Sequence, residues 1–403
     1  MVLHTPFLSL SANYQRRFKS LHAYGGALPA PHPALRLVLT IPAYRENLEE
    51  TFASLQQCHL SRPEALEVLL LTNTPEDASE TDKQAHRRQA QHWNGTVLPN
   101  GLRILALAAT DMPSKTAGVG LARKIAMDTA LARLAAVNHD GFIHCLDGDC
   151  TVNEYYLEAL LQIEGEGWNG AVTAFAHPYA HLPAERQKAI LHYEIYLRYY
   201  VAGLRLAQYP HAFHTIGSCM GVRASAYAKI GGMNRRKAGE DFYFLHKLMP
   251  HGKFTEVKQA ITYPQARDSR RVPFGTGRAM LDIAQGKKDF DALYHPEIFG
   301  ELKRLHLQVG SKDAAEYFLP FLEAQQWQQE WELLSARSKN EEQLRRNFFF
   351  WWDGFKVLRY VHWRSELLKP LPLMEAVEEI AGRRYKSVED VLEDLRLRDS
   401  VNC

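Results

Sequence analysis

The sequence has no pattern of paired cysteines. Its five cysteines, Cys58, Cys145, Cys150, Cys219 and Cys403, are odd in number, and no two stand as Cys-x-x-Cys. A disulfide framework or a zinc ribbon is therefore not expected, and reduced thiols of a cytoplasmic protein are. An excess of one charge is also missing: 48 basic against 46 acidic residues leave a net charge of +2. A chain built to grip nucleic acid carries a basic excess, so no nucleic-acid partner is expected. No apolar run approaches the ~18–20 residues that cross a bilayer. The opening MVLHTPFLSLSANYQRRF puts no basic segment ahead of a long apolar core, so no signal peptide is expected. The expected location is cytoplasmic, and any membrane-bound partner would be met peripherally, at the inner face of the membrane.

What is present fits a globular α/β chain of two or three units at ~150 residues each. Residues 1–34 end in GGALPAPHP and read as an irregular arm. LRLVLTIPA then gives a short buried strand over 35–41, ended by Pro42, and ENLEETFASLQQ continues at helical spacing. Further buried strands are expected in ALEVLLLTN, LRILALAA, GFIHCLDGD and GAVTAFAH. Helices are expected over 120–136 and in NEYYLEALLQI, with Asn153 as N-cap. Strands alternating with amphipathic helices predict a mostly parallel sheet flanked by helices. Ligands bind such sheets beyond the carboxyl ends of the strands, where PAYRE, TNTPED and DGD lie. After about residue 275, glycine and proline become sparse and the spacing turns helical.

The pair Asp147-Gly148-Asp149 carries the most chemistry. Two solvated acids in a loop are one reading. An EF-hand is another: Asp149, Thr151, Asn153 and Glu158 fall at suitable offsets, but Val152 stands where the turn needs glycine, and a strand pattern precedes it. The third reading is a hard cation, Mn2+ or Mg2+, shared with a diphosphate. Such ions take one or two protein carboxylates and fill the shell with phosphate oxygens and water.

PAYRE after the first strand, DGD after the fourth, and GSCMGVRASAYAKIGGMNRRKAGEDFYFLHKL later on together resemble a family-2 glycosyltransferase with a GT-A fold. The resemblance covers roughly residues 35–275, leaving the arm (1–34) and a helical C-terminal region (276–403) outside it. It implies a nucleotide-diphospho-sugar donor and a carbohydrate or lipid-linked acceptor, as in polysaccharide biosynthesis. Pro42, Ala43, Tyr44 and Glu46 would hold the nucleotide base and ribose. Asn73 stands where the family usually has a base-contacting Asp. Lys115, Gly118 and Arg123 would approach the donor. Asp149 would be the direct metal ligand, with Asp147 on ribose or on the metal through water. In Gly239-Glu240-Asp241, Asp241 would be the base of an inverting transfer, and Glu240 would bind sugar hydroxyls. Arg267 and Arg271, with Arg270, would clamp the diphosphate. The Gln-x-x-Arg-Trp motif of processive members is absent, since Gln265 is followed by Ala266, Arg267 and Asp268.

Three other readings remain open: a retaining transferase on the same fold, a nucleotidyltransferase, and a non-catalytic nucleotide-sugar-binding scaffold. The second expects a glycine-rich N-terminal signature that GGALPAPHP matches poorly. His177 and His214 lie near the motifs but are expected to be packed. FFFWWDGFKVLRYVHW is expected to be an aromatic helical core, with a membrane-surface role as the competing reading.

Overall fold

The computed structural model describes residues 6–18, 28–267, 275–288, 290–307, 309, 319–323 and 326–401. Arg270, Arg271 and Cys403 lie outside the described residues. Part of the stretch read as an irregular arm is a helix, α1 (Pro6–Arg17), which buries Phe7, Ser11 and Tyr14 on one face at helical spacing.

The chain then runs β1 (Leu37–Ala43), α2 (Glu49–Gln56), β2 (Leu66–Pro75), α3 (Glu80–Trp93), β3 (Arg103–Met112), α4 (Val119–Ala136) and β4 (Phe142–Cys145). β5 (Cys150–Val152), α5 (Tyr156–Glu164), β6 (Gly170–Phe175), α6 (Ala184–Leu206), β7 (Met220–Arg223), α7 (Ala224–Lys229), α8 (Glu240–Leu248) and β8 (Phe254–Pro264) follow. Eight strands form one mixed sheet in the order β3-β2-β1-β4-β7-β6-β8-β5. β1, β2, β3 and β4 are mutually parallel, and β6 and β8 are parallel. β7 runs antiparallel to both β4 and β6, and β5 runs antiparallel to β8. This is the α/β sheet flanked by helices that the sequence predicted of a GT-A-type fold.

β1 is buried along its whole length because helices cover both faces of the parallel part. It continues through Pro42 to Ala43 rather than ending at the proline. β7 was not legible in the sequence. It is four residues long and contains Gly221, whose missing Cβ leaves room for the Phe142 and His144 side chains of β4. Asn153 does not cap α5. Its side chain instead bonds the backbone of the β8 segment, donating to Gln259 O (2.9 Å) and accepting from Ile261 N (2.9 Å).

Two compact units result. One takes in Met1–Pro178 and Thr215–Arg278, the other Tyr179–His214 and Ala279–Cys403. The first holds the sheet. The second is built on α6 together with α10 (Pro296–Leu307), preceded by β9 (Ala292–Leu293) and by α9 (Thr276–Ala284), which belongs to it from Ala279 onward. α11 (Leu319–Glu323), α12 (Trp327–Ala336), α13 (Glu341–Trp351), α14 (Gly354–Ser365), β10 (Leu371–Pro372), α15 (Leu373–Ala381) and α16 (Val388–Val401) complete it. Phe348, Phe349, Trp352 and Tyr360 are buried in its core, while Phe350 is exposed. His306 is satisfied there as a neutral ring, bonding Ala207 O through Nδ1 (2.7 Å) and accepting the Trp352 indole N–H at Nε2 (3.1 Å). Among the described residues, no helix is long and apolar enough to cross a membrane.

Candidate functional site

The site lies where β1 and β4 end. β4 stops at Cys145, and the chain turns through Asp147-Gly148-Asp149, closed by Cys150 N–H donating to Asp147 O (3.1 Å). Gly148 is closely packed: a Cβ there would lie 2.9 Å from the Leu48 side-chain tip and 3.4 Å from both Ala43 and Glu46. The turn is therefore pressed onto the loop that follows β1. Thr51 Oγ1 holds it from α2 by donating to Gly148 O (3.0 Å).

Two arginines tie this turn to the other acidic segments. Arg267, just beyond β8, donates to Asp149 Oδ2 (2.8 Å) and to Glu46. Arg123, in the first turns of α4, donates to Asp147 Oδ1 (2.5 Å) and to Glu240. Each guanidinium thus joins one carboxylate of the turn to a carboxylate from elsewhere. The two differ in access, since the Arg123 side chain is 4% exposed and that of Arg267 35%.

Glu240 opens α8, and Gly239 before it sits in the left-handed region at φ 66°, which suits a residue without Cβ. Asn234 supports the same point by donating from Nδ2 to Glu240 O (2.7 Å). Asp241 Oδ1 accepts the Phe242 backbone N–H (2.8 Å).

Burial pushes the Glu240 carboxyl up to about 7 against the pull of Arg123, with Asp241 and Asp147 adding to the rise. Burial also raises Asp241, again opposed by Arg123. Loss of water is the main physical cause, and the Arg123 guanidinium, facing three carboxylates, offsets only part of it. Asp149 is raised by burial and by Asp147, with Arg267 opposing.

The remaining residues picked from the sequence lie around this centre. Pro42 and Ala43 are buried at the end of β1. Tyr44 stacks on His86 of α3, with ring centroids 5.5 Å apart. His86 also accepts the Arg45 N–H at Nε2 (3.0 Å) and bonds Asp82 O through Nδ1 (2.8 Å). Arg45 itself is left-handed, at φ 54°. Asn73 is buried in β2. Gly118 begins α4 beside Lys237, and Lys115 is exposed just ahead of it. Neither joins the arginine–carboxylate cluster. Arg271 falls outside the described residues. His177 is buried, with Nε2 3.1 Å from Thr276 Oγ1. His214 bonds Asp399 in the second unit (3.1 Å). Both are packed, as expected.

Sequence reasoning assigned no role to Gly217, Asn234 or His86. Gly217 packs against the Arg123 guanidinium. No local pattern marks it, because its partner lies 94 positions earlier in the chain.

A cation here would be held by oxygen donors. Among the described residues, no group of three or more His, Cys, Asp or Glu side chains gathers as a metal site. Asp149 is partly exposed, at 27%, and is balanced by an arginine. This donor set fits a hard ion that takes most of its shell from phosphate and water, and does not fit an all-protein cage.

No protein-family profile matches the chain, and no curated protein matches its sequence. Among solved structures it is similar to S. aureus TarS, with a TM-score of 0.38 and 12% identity over 82% of this chain and 55% of that one. It is also similar to S. aureus TarS 1–349 in complex with UDP, with a TM-score of 0.37 and 11% identity over 87% of this chain and 93% of that one. A third is the mannosyltransferase PcManGT from Pyrobaculum calidifontis in complex with GDP-Man and Mn2+, with a TM-score of 0.37, 12% identity and 98% of each chain covered.

Proposed function

We propose that this chain is a metal-dependent, inverting, non-processive glycosyltransferase. It moves a sugar from a nucleotide-diphosphate donor to a hydroxyl of a carbohydrate or lipid-linked acceptor. The observation that carries this reading is the meeting of five carboxylates at one end of the sheet. Glu46 comes from the loop after β1, Asp147 and Asp149 from the turn after β4, and Glu240 and Asp241 from the start of α8. Arg123 and Arg267 cross-link four of them.

In this mechanism Asp241 accepts the proton of the acceptor hydroxyl. The freed oxygen attacks the anomeric carbon, and the bond from that carbon to the diphosphate oxygen breaks on the opposite face. Inversion follows from that in-line path. Asp149, with Asp147 behind it, would hold the cation. Mn2+ or Mg2+ supplies charge neutralisation for the departing nucleoside diphosphate. Arg267 lies beside Asp149 and exchanges its carboxylates for phosphate oxygens, which its planar guanidinium is able to bind in bidentate fashion. Glu46 and Tyr44 line the nucleotide side of the site, with Asn73 behind them.

Thermal unfolding with UDP, GDP, CMP and dTDP, each with and without Mn2+, tests the reading. One nucleotide should raise the melting temperature with Mn2+, by mass action on the folded state, and Asp149→Ala should abolish the metal-dependent part. No shift with any of the four would favour a scaffold that does not bind nucleotide in this cleft.

A further inference from the structure

Arg123 stands in the wrong place for a substrate ligand. Its guanidinium is closed in on three sides. Asp147 lies on one, with Nη2 to Oδ1 at 2.5 Å, and Glu240 on another through Nη1. Gly217 fills the third, where a Cβ would fall on the guanidinium itself. The side chains of Arg123 and Glu240 are 4% and 3% exposed, whereas that of Asp147 is 34% exposed. A phosphate would reach Arg123 only by displacing one of these neighbours.

We propose that Arg123 is a positioning residue: a buried strut that sets the distance between the Asp147-Gly148-Asp149 turn and the start of α8. On the same geometry, position 217 is glycine so that the strut fits. The catalytic consequence rests on the transfer reading given above; the strut itself is a property of the free chain. An in-line displacement needs its base and its leaving-group clamp on opposite faces of one carbon. Such constellations tolerate errors of only about 0.5 Å. The base side is the first turn of α8, and the leaving-group side is the turn after β4. Among the described residues, Arg123 is the cation bonded to both. Arg123 also holds Asp147 through Oδ1, so the strut fixes the turn that carries both carboxylates.

A substitution cycle on the free 403-residue chain reads the strut directly. Gly217→Ala should lower the melting temperature by several degrees when Arg123 is present. In an Arg123→Met background the added methyl finds space, and the drop should be less than about half as large, a non-additivity typical of residues in contact. Where Arg123→Met does not fold, Arg123→Lys takes its place in the same cycle. Isothermal titration with UDP and with GDP, with and without Mn2+, then reads the role. Arg123→Met should bind metal-free nucleotide within about twofold of wild type and lose the extra affinity that Mn2+ confers. Arg123→Lys keeps one of the two contacts and should recover part of it. A fall of about tenfold or more in metal-free affinity would make Arg123 a substrate ligand and overturn the proposal. Equal costs of Gly217→Ala in both backgrounds would overturn it as well. If wild type binds none of UDP, GDP, CMP and dTDP, the transfer reading falls, while the substitution cycle still decides the strut.

Discussion

Asp241 and Glu240 are neighbours in sequence with different surroundings. Glu240 is buried against Arg123, whereas Asp241 is partly exposed and accepts the Phe242 backbone N–H. On the transfer reading proposed above, the base role falls to Asp241, because Glu240 is engaged by Arg123 while Asp241 is partly exposed to an incoming acceptor. Asp241→Asn should lower kcat by about 10²–10⁴-fold with donor KM little changed. Burial raises the Asp241 carboxyl above its ordinary 3.8. A base works ionised, so activity is full above the raised value and is lost as pH falls through it. The acid limb of kcat/KM should accordingly lie above pH 3.8 in wild type, and a pH–rate profile of both chains checks it.

At the scale of elements, two segments far apart in the chain act on the site. The loop after β8 brings Arg267 to Glu46 and Asp149. Without nucleotide, its charge occupies the side of Asp149 that a cation would use. Arg267→Gln should therefore strengthen Mn2+ binding in the absence of nucleotide, read by electron paramagnetic resonance, and weaken nucleotide binding. The second segment is α1. Tyr14 donates its hydroxyl to Asp128 Oδ1 (2.6 Å), Tyr227 does the same (2.6 Å), and Lys124 Nζ donates to Tyr14 Oη (2.7 Å). Burial lowers Lys124 while Asp128 pulls it back up. This polar knot anchors α1 to the helix that carries Arg123, one residue before Lys124. Tyr14→Phe strips Lys124 of a bond in a buried place, at a cost of about 1–3 kcal/mol. Thermal unfolding should show a drop of about 2–4 °C per kcal/mol lost.

Over the whole molecule, buried neutral histidines set the response to acid. His144 of β4 is fully buried, and both its ring nitrogens lack a hydrogen-bond partner among the described residues. Burial lowers it from 6.5 to about 3. His306 and His211 are lowered to about 4 by the same cause. A histidine held neutral in the folded state stabilises the fold fully above the unfolded value. That contribution is lost as pH falls from 6.5 toward the folded value, at about 1.4 kcal/mol per pH unit for each group. Asp399 adds to the trend: burial favours its neutral form, but His214, Arg198 and Arg205 hold it well below the usual carboxylate range. Its contribution is present above 3.8 and fades below it. The melting temperature should fall steadily from pH 7 to pH 4. His144→Met removes one proton-binding group without adding a charge, so that chain should show a shallower fall.

Alternation of short apolar runs with amphipathic stretches determined the helix-flanked sheet, because each run reports its own burial through local periodicity. The acids of PAYRE, DGD and GED could be picked out in the sequence because each stands in a short contiguous motif that a family resemblance marks. What the sequence left open is what depends on distant partners. The antiparallel insertion of β7 between β4 and β6 rests on four residues too few to show a period. Residues 179–214 fold with the C-terminal helices: α6 meets α16 through Glu194 with Arg396, and through Arg198 and Arg205 with Asp399, separations near 200 residues. The family resemblance marks Arg123 as a residue approaching the donor, but its place between Asp147, Glu240 and Gly217 comes only from the fold. Local patterns fix which residues are buried and which are charged. Which buried charge meets which is decided by packing, because a guanidinium out of water takes whatever carboxylates the folded backbone brings within a hydrogen bond of it.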